Sequence, residues 1–230
     1  MDIDDDDRIA YAMSQTEVLR VPRQNLATFG TTNVRYFLLT KPAYSDLISA
    51  SDDTVIREGR VISERPRVVT PGYMLNLQGF GDNARGYFNR LIAEHGPNVP
   101  GILYHYRNEQ KNLNIVSGDV LSVMDRIEKE IGEDPLVGII RGVDELWDIS
   151  LLKFIHDLTA RSLEGNLRDF QGSGLVSVDS SGTTADARRS IEEMFQKVMM
   201  KAGDPNELKR ELDRWGLFSE YEDRFLKLFS

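Results

Sequence analysis

The sequence predicts an α+β protein with a mixed, mostly antiparallel sheet and packed helices, followed by a small helical C-terminal module. Two observations support this fold class. Short apolar runs of strand length dominate the chain up to Val116, whereas apolar residues at helical spacing dominate from Val120 onward. Residues 171–184 are rich in glycine and serine, and they separate the last helices from the rest of the chain.

We therefore predict four parts. Residues 1–15 form an acidic flexible leader, because a block of aspartates of like charge favours a solvated chain. Residues 16–170 form the α+β main domain. Residues 171–184 form a Gly/Ser-rich connector, and residues 185–230 form the helical C-terminal module.

Three apolar runs predict single strands. Val18–Val21 predicts a short strand, which the proline that follows it confines to an edge or an end. Residues 33–40 are almost continuously apolar, which predicts a strand buried on both faces. Residues 73–78 alternate apolar and polar side chains, and they predict a third strand that leads into a glycine turn.

Two longer segments each predict a β-hairpin. In residues 54–70 we place the turn at Glu58-Gly59, between two apolar pairs. In residues 102–116 we place the turn near residues 108–112. Leu113 and Ile115 follow that turn, and we expect both to contribute to the core.

Helices are predicted where capping residues flank apolar residues spaced three or four apart. One helix begins at Ser117 and ends at Gly132. A buried strand at 136–143 follows, and then a helix at 148–161. In the C-terminal module a helix begins at Asp204-Pro205 and ends at Gly216, with one helix before it and one after it.

The composition excludes several kinds of site. The chain contains no cysteine, which excludes disulfides, thiolate metal sites and cysteine nucleophiles. Its formal net charge of −9 argues against sequence-independent binding to nucleic acid. It has neither a signal-peptide pattern nor an apolar run of about 18 residues. We therefore expect a cytoplasmic protein that does not bind a membrane.

A glycine-rich turn is the main candidate for a cofactor site. Two glycines and Ala84 match a tolerated form of the dinucleotide-binding pattern, in which backbone amides approach a phosphate at a helix N-terminus. The candidate residues are Gly79, Gly81, Asn83, Arg85 and Arg107. The alternative is a strand-to-helix turn in which Asp82 is the N-cap.

Two carboxylates after the predicted strand 136–143 are candidate metal ligands. Asp144 and Asp148 lie four residues apart, a spacing that places both on one helix face, and carboxylate oxygens suit Mg²⁺. The alternative is that Asp148 begins the helix that follows. No cofactor is predicted outright. Mg²⁺ or a nucleotide belongs only to the hypothesis of an enzyme.

Arginines in the predicted hairpin 54–70 have two interpretations. The residues are Arg57, Arg60, Arg65 and Arg67. Lined up along a ribbon they would contact a phosphate backbone. Interleaved with Glu58 and Glu64 they would form cross-strand ion pairs, which we favour.

The C-terminal module is dense in aromatic residues, and two short helices bury little surface alone. The candidate partner-binding residues are Trp215, Phe218, Tyr221 and Phe225. Docking within the same chain is the alternative. Because the sequence shows no catalytic signature, the first hypothesis is an accessory or regulatory protein that acts through a protein partner or as a homo-oligomer. The second hypothesis is a phosphate- or nucleotide-dependent enzyme that uses the Gly79-Gly81 turn, with Mg²⁺ assistance through Asp144 and Asp148. The third is a nucleic-acid-associated protein that uses the Arg57–Arg67 ribbon.

Overall fold

Residues 5–43, 52–76, 89–90 and 92–229 are described in a computed structural model of the chain, and they confirm the α+β class. Residues 1–65 with 104–166 form a first unit, and residues 66–103 with 167–230 form a second. In chain order the elements are α1 (Asp5–Gln15), β1 (Glu17–Arg20), β2 (Thr32–Thr40), β3 (Asp53–Ser63), β4 (Arg67–Val69), α2 (Pro71–Leu75), β5 (Gly101–Leu103), β6 (Tyr106–Ser117), α3 (Val120–Ile131), β7 (Val137–Gly142), α4 (Trp147–Gly172), α5 (Ala185–Met199), α6 (Pro205–Trp215) and α7 (Phe218–Leu226).

The first unit contains a five-stranded sheet in the order β1-β7-β2-β3-β6. β2 pairs parallel with β7, and the other described pairs, β1 with β7, β2 with β3 and β3 with β6, are antiparallel. The sheet is therefore mixed and mostly antiparallel, as the sequence predicts. β1 and β6 lie at its two edges.

β2 lies inside the sheet and is buried on both faces, as its continuous apolar run predicts. On one face Tyr36 and Leu38 pack with Phe154 of helix α4. On the opposite face Phe37 and Leu39 pack with residues of helix α3, and Val120, Val123 and Ile127 are the buried residues of that helix. Helices thus cover both sides of the sheet at β2.

The hairpin predicted at 54–70 is wrong, because β3 runs straight through the expected turn. Gly59 lies within β3, next to a β-bulge in the pairing with β6. A Cβ atom at this position would lie 2.5 Å from the hydroxyl oxygen of Tyr36 and 2.7 Å from the backbone oxygen of Glu109. Glycine is therefore needed for a close approach of neighbouring groups rather than for a turn.

The hairpin predicted at 102–116 is also wrong. β5 pairs with β4 in a separate two-stranded sheet of the second unit, whereas β6 belongs to the five-stranded sheet. The expected turn near 108–112 lies within β6, where the pairing register with β3 shifts between Glu58 and Gly59. A bulge absorbs the extra residue and lets the strand continue.

The helices α1, α3 and α4 differ from the sequence predictions in three places. Residues 5–15 of the predicted flexible leader form helix α1. Helix α3 is capped by Asp119, whose carboxylate accepts hydrogen bonds from the amides of Leu121 and Ser122, rather than by Ser117. Helix α4 extends to Gly172, well beyond the predicted end at residue 161.

The second unit is mainly helical. The strand predicted at 73–78 is wrong over its first residues, because Pro71 begins the short helix α2, which ends at Leu75. Helix α6 is capped by Asp204 and ended by Gly216 in a left-handed conformation, as its sequence predicts. The core of this unit contains four fully buried residues of helices α5 and α6, namely Ile191, Phe195, Leu208 and Leu212.

The predicted connector 171–184 contains an ordered turn that leads into helix α5. Asp179 accepts hydrogen bonds from the amides of Ser181 and Thr183 and from the guanidinium of Arg188. Burial raises the pKa of the Asp179 carboxyl, but these bonds outweigh it and lower the pKa to about 2. Thr184 then caps helix α5 through the amide of Ala187.

Candidate functional site

A cavity of about 690 Å³ opens in the first unit at the carboxyl ends of the parallel strands β2 and β7. Ligands gather at this end of parallel strands in open sheets. The charged residues that line the cavity are Lys41, Asp119, Arg141, Asp144 and Glu145. Its apolar walls include Tyr11 of helix α1 and Val120 and Leu121 of helix α3.

Asp144, a predicted metal ligand, lines this cavity but is already paired. Its carboxylate accepts hydrogen bonds from the guanidinium of Arg57 and from the hydroxyl of Thr40, the latter at 2.8 Å. The Arg57 guanidinium also lies 5.8 Å from the ring centroid of Trp147. A cation would therefore have to compete with a half-buried arginine for Asp144.

Asp148, the second predicted ligand, lies in the first turn of helix α4 and is exposed. Its carboxylate accepts a hydrogen bond from the amide of Ile149 at 3.0 Å, as a residue in a first turn does. Within the described ranges, no group of three or more carboxylate, histidine or cysteine side chains is arranged to hold a metal ion. The magnesium site stays a prediction.

Two of the cavity's other charged residues also have structural roles. Arg141 pairs with Glu17 across the β1–β7 ladder, and Asp119 caps helix α3. Hydrogen bonds from the hydroxyl and amide of Ser122 lower the pKa of the Asp119 carboxyl. Lys41 is exposed at the end of β2. The described lining contains neither histidine nor serine.

The predicted phosphate-binding turn lies outside the described residues, and this includes Gly79, Gly81, Asn83 and Arg85. Arg107 is described. It lies exposed on β6, where its guanidinium pairs with Glu109 at 3.1 Å. The cofactor site stays a prediction.

Arg57, Arg60 and Arg67 of the predicted ribbon are paired with acids. Arg60 pairs with Glu109 on the neighbouring strand, and Arg35 of β2 pairs with Glu58 of β3 at 2.8 Å. In the second unit Arg67 pairs with Glu211, a carboxylate that is almost fully buried. Arg65 lies 6.0 Å from the ring centroid of Phe29. These ion pairs match the ion-pair interpretation. They do not support the hypothesis of a continuous basic face along the ribbon.

The predicted partner-binding aromatics lie mostly inside the second unit. Trp215 and Phe225 are each 8% exposed and belong to its core. The indole N–H of Trp215 donates a hydrogen bond to Glu211 at 3.0 Å. Phe218 and Tyr221 are partly buried against the same core. Their side chains thus contact their own unit, and a contact with a second chain stays a prediction.

The outer edge of the sheet carries an exposed apolar pair that the sequence analysis assigned to the core. Leu113 is 63% exposed and Ile115 is 56% exposed, and both lie on β6. They sit opposite Arg57 and Val55 of β3, so they share one face of the sheet. The sequence signal for two different faces of this strand was the alternation of Leu113 and Ile115 with Asn112 and Asn114. Alternation alone does not show whether other residues cover the apolar face.

Alternate residues of the same segment direct their backbone N–H and C=O groups away from the sheet. The amide of Gly118 donates to the carbonyl of Asp52. Hydrogen-bonded and non-hydrogen-bonded pairs alternate along an antiparallel ladder, and the register is regular from here to Leu113. The N–H and C=O groups of Leu113, Ile115 and Ser117 therefore point outward, where no strand of the described residues pairs with them. The carbonyl of Ser117 accepts a hydrogen bond from the guanidinium of Arg126 at 2.9 Å.

Comparison of the chain with protein-family models, with curated proteins and with solved structures found no match. In the part of the chain that the structure describes, every helix is too short or too polar to span a bilayer. The function is therefore argued from the chain's own geometry.

Proposed function

We propose that this protein is an accessory or regulatory protein that acts through protein–protein contacts, and that the outer edge of β6 is its contact surface. The observation that carries the proposal is the exposed pair Leu113 and Ile115 beside outward-facing backbone groups. Both features occur on the same five residues, 113–117. Together they form the surface that an added strand requires.

Long edge strands are usually protected, because unpaired backbone groups attract other strands. β6 has 12 residues and is exposed along most of its length. Its charged residues, Arg107, Glu109 and Lys111, lie in the first half, and residues 112–117 carry no charge. The second half of β6 thus lacks the charges that would keep another strand away.

An added strand would gain binding free energy from two sources. Backbone hydrogen bonds at Leu113 and Ile115 and at the amide of Ser117 would hold it in the plane of the sheet. Burial of the two apolar side chains would contribute about 25 cal/mol for each Å² removed from water. Backbone bonds supply affinity for any extended segment, whereas the apolar pair selects a partner with apolar residues at matching positions.

The test compares Ile115→Lys with a matched control. Leu152→Lys introduces the same charge at a leucine that is 61% exposed and lies on helix α4 rather than on β6. We expect wild type and Leu152→Lys to retain the same binding partners in affinity capture, and Ile115→Lys to lose them. Both variants alter exposed side chains, and thermal unfolding checks that both are folded.

Capture that is identical for the three proteins would contradict the role of β6. Amide hydrogen exchange gives an independent measurement. In the bound state we expect the amides of Leu113, Ile115 and Ser117 to exchange more slowly, because they would be hydrogen-bonded to the added strand. The amides of Asn114 and Val116 face β3 and should change less.

A second function is favoured by the cavity at the ends of β2 and β7. Its volume is in the range of small-molecule sites, and Lys41 offers a positive charge for a phosphate or carboxylate. A thermal-shift panel of nucleotides, inorganic phosphate and Mg²⁺ tests it. A ligand at 100 times its Kd stabilises by about 2.7 kcal/mol, which raises Tm by about 5 °C or more. A shift that Lys41→Ala does not reduce would contradict this site.

A further inference from the structure

We infer that the strand added to β6 is β6 of a second copy of this chain, paired antiparallel about a two-fold axis at Asn114. The inference rests on the proposed function, since it assigns the partner to the same edge. It predicts a symmetric dimer in which the two five-stranded sheets join edge to edge. Two-fold dimers are the commonest symmetric assemblies of soluble proteins.

The outward-facing backbone groups restrict the register. Hydrogen bonds form only when an outward-facing residue of one copy lies opposite an outward-facing residue of the other. Leu113, Ile115 and Ser117 face outward. A two-fold axis at Asn114 satisfies this condition, because it places Leu113 of one copy opposite Ile115 of the second copy, and the reverse.

Side-chain chemistry selects this register among its neighbours. With the axis at Asn114, two Leu–Ile pairs form on one face, and all four exposed apolar side chains lie together. An axis at Leu113 would place Ile115 opposite Lys111 of the second copy. An axis at Ile115 would place Leu113 opposite Ser117 of the second copy. Each alternative leaves one apolar residue beside a polar one.

Charge at this segment does not oppose pairing with a second copy. Identical chains repel where a charged residue lies opposite itself, and the net charge of the chain is −9. Residues 112–117 are uncharged, so the proposed pairing places no like charges opposite each other. At the axis Asn114 meets Asn114 of the second copy, and two amide side chains are able to exchange hydrogen bonds.

The chain's lack of cysteine allows a direct test by disulfide formation. Asn114 faces β3 with its backbone, so the pair at the axis is non-hydrogen-bonded, with a Cα–Cα distance of about 4.5 Å. This distance permits a disulfide. Asn114→Cys should therefore oxidise to a covalent dimer. Asn112→Cys is the control, because residues 112 of the two copies would be about 14 Å apart along the strand.

The second measurement is the mass in solution by light scattering. We expect wild type and Leu152→Lys to show about twice the chain mass of 26.1 kDa, and Ile115→Lys to show the single chain mass. A covalent dimer at position 114 and none at position 112 supports the register. A dimer that Ile115→Lys leaves intact, or that links equally at both positions, overturns the inference.

The outcomes also separate this inference from the proposed function. A wild-type protein that stays at 26.1 kDa at every concentration overturns the second copy as the partner. If Ile115→Lys nevertheless loses captured proteins, the β6 edge still binds a different partner, and the proposed function stands. If wild type is monomeric and capture is independent of Ile115, both proposals are refuted.

Discussion

Replacing Gly59 with alanine tests why a glycine lies in the middle of β3. The added Cβ would lie 2.5 Å from the hydroxyl oxygen of Tyr36 and 2.7 Å from the carbonyl oxygen of Glu109. Tyr36 is fully buried, and its hydroxyl donates a hydrogen bond to Asn108 at 3.0 Å. The backbone at Glu109 is held by the ladder with β3. Neither neighbour can move freely, so the substitution should overpack this site.

The expected cost follows from three contributions. Overpacking a buried site costs about 1–3 kcal/mol. Displacing the Tyr36 hydroxyl from Asn108 costs about 1 kcal/mol. Alanine restricts the unfolded chain, which offsets about 0.4–1 kcal/mol. We therefore expect Gly59→Ala to destabilise the first unit by about 2 kcal/mol.

Thermal or urea unfolding followed by tryptophan fluorescence measures this cost. The chain's two tryptophans fall one in each unit, with Trp147 in the first and Trp215 in the second. A loss of about 2 kcal/mol lowers Tm by about 4–8 °C for a protein of this size. The matched control is Gly30→Ala, also in the first unit, where an added Cβ meets no atom within 4 Å. The control should be neutral or slightly stabilising.

A second background tests the named contact. Tyr36→Phe removes the hydroxyl and frees the ring from Asn108, so Gly59→Ala should cost about 1 kcal/mol less in that background. If Gly59→Ala were no more destabilising than Gly30→Ala, the close approach would not be the reason for glycine. The interpretation of residue 59 would then have to be abandoned.

Three further substitutions test local interactions. Asp119→Ala should lower the urea midpoint of unfolding because helix α3 loses its N-cap, whereas Asp119→Asn should retain most of the wild-type stability. Arg67→Leu should cost about 2 kcal/mol, because it removes one charged partner of the buried carboxylate of Glu211, which keeps its contacts with Trp215 and Arg214, and a loss under 1 kcal/mol would contradict the pairing. The Asp179 carboxyl has a folded pKa of about 2, below its ordinary value of 3.8, so its stabilising effect is present above pH 4 and is lost as the pH falls through 2. Asp179→Asn should therefore cost about 1 kcal/mol near neutral pH, after allowance for its exposure, and its stability should converge on that of wild type near pH 2.

Elements whose signals are local could be predicted from the sequence. Helix α6 carries its own start and stop, Asp204-Pro205 and Gly216, and each acts on the backbone next to it. β2 was recognisable because burial on both faces requires a continuous apolar run. In both cases the information lies within the segment itself.

Elements that depend on distant residues could not be predicted. Gly59 has the same local pattern as a turn, and its actual reason is the side chain of Tyr36, 23 residues earlier. Residues 102–116 have the pattern of one hairpin, yet their two halves pair with different sheets. The exposed pair on β6 was missed because an alternating strand gives the same pattern whether or not a neighbour covers it.

Pairing between distant segments also bears on how the protein is made. Each unit is assembled from two separate stretches of sequence, and the stretches alternate along the chain. During synthesis β2 leaves the ribosome about 100 residues before β7, its parallel neighbour in the sheet. Residues 66–103 gain their neighbours in the second unit only after helices α5 and α6 have been synthesised. Newly synthesised β2 and β3 therefore remain without β7 for many seconds. Chaperones that shield unpaired strands would be most useful in this period.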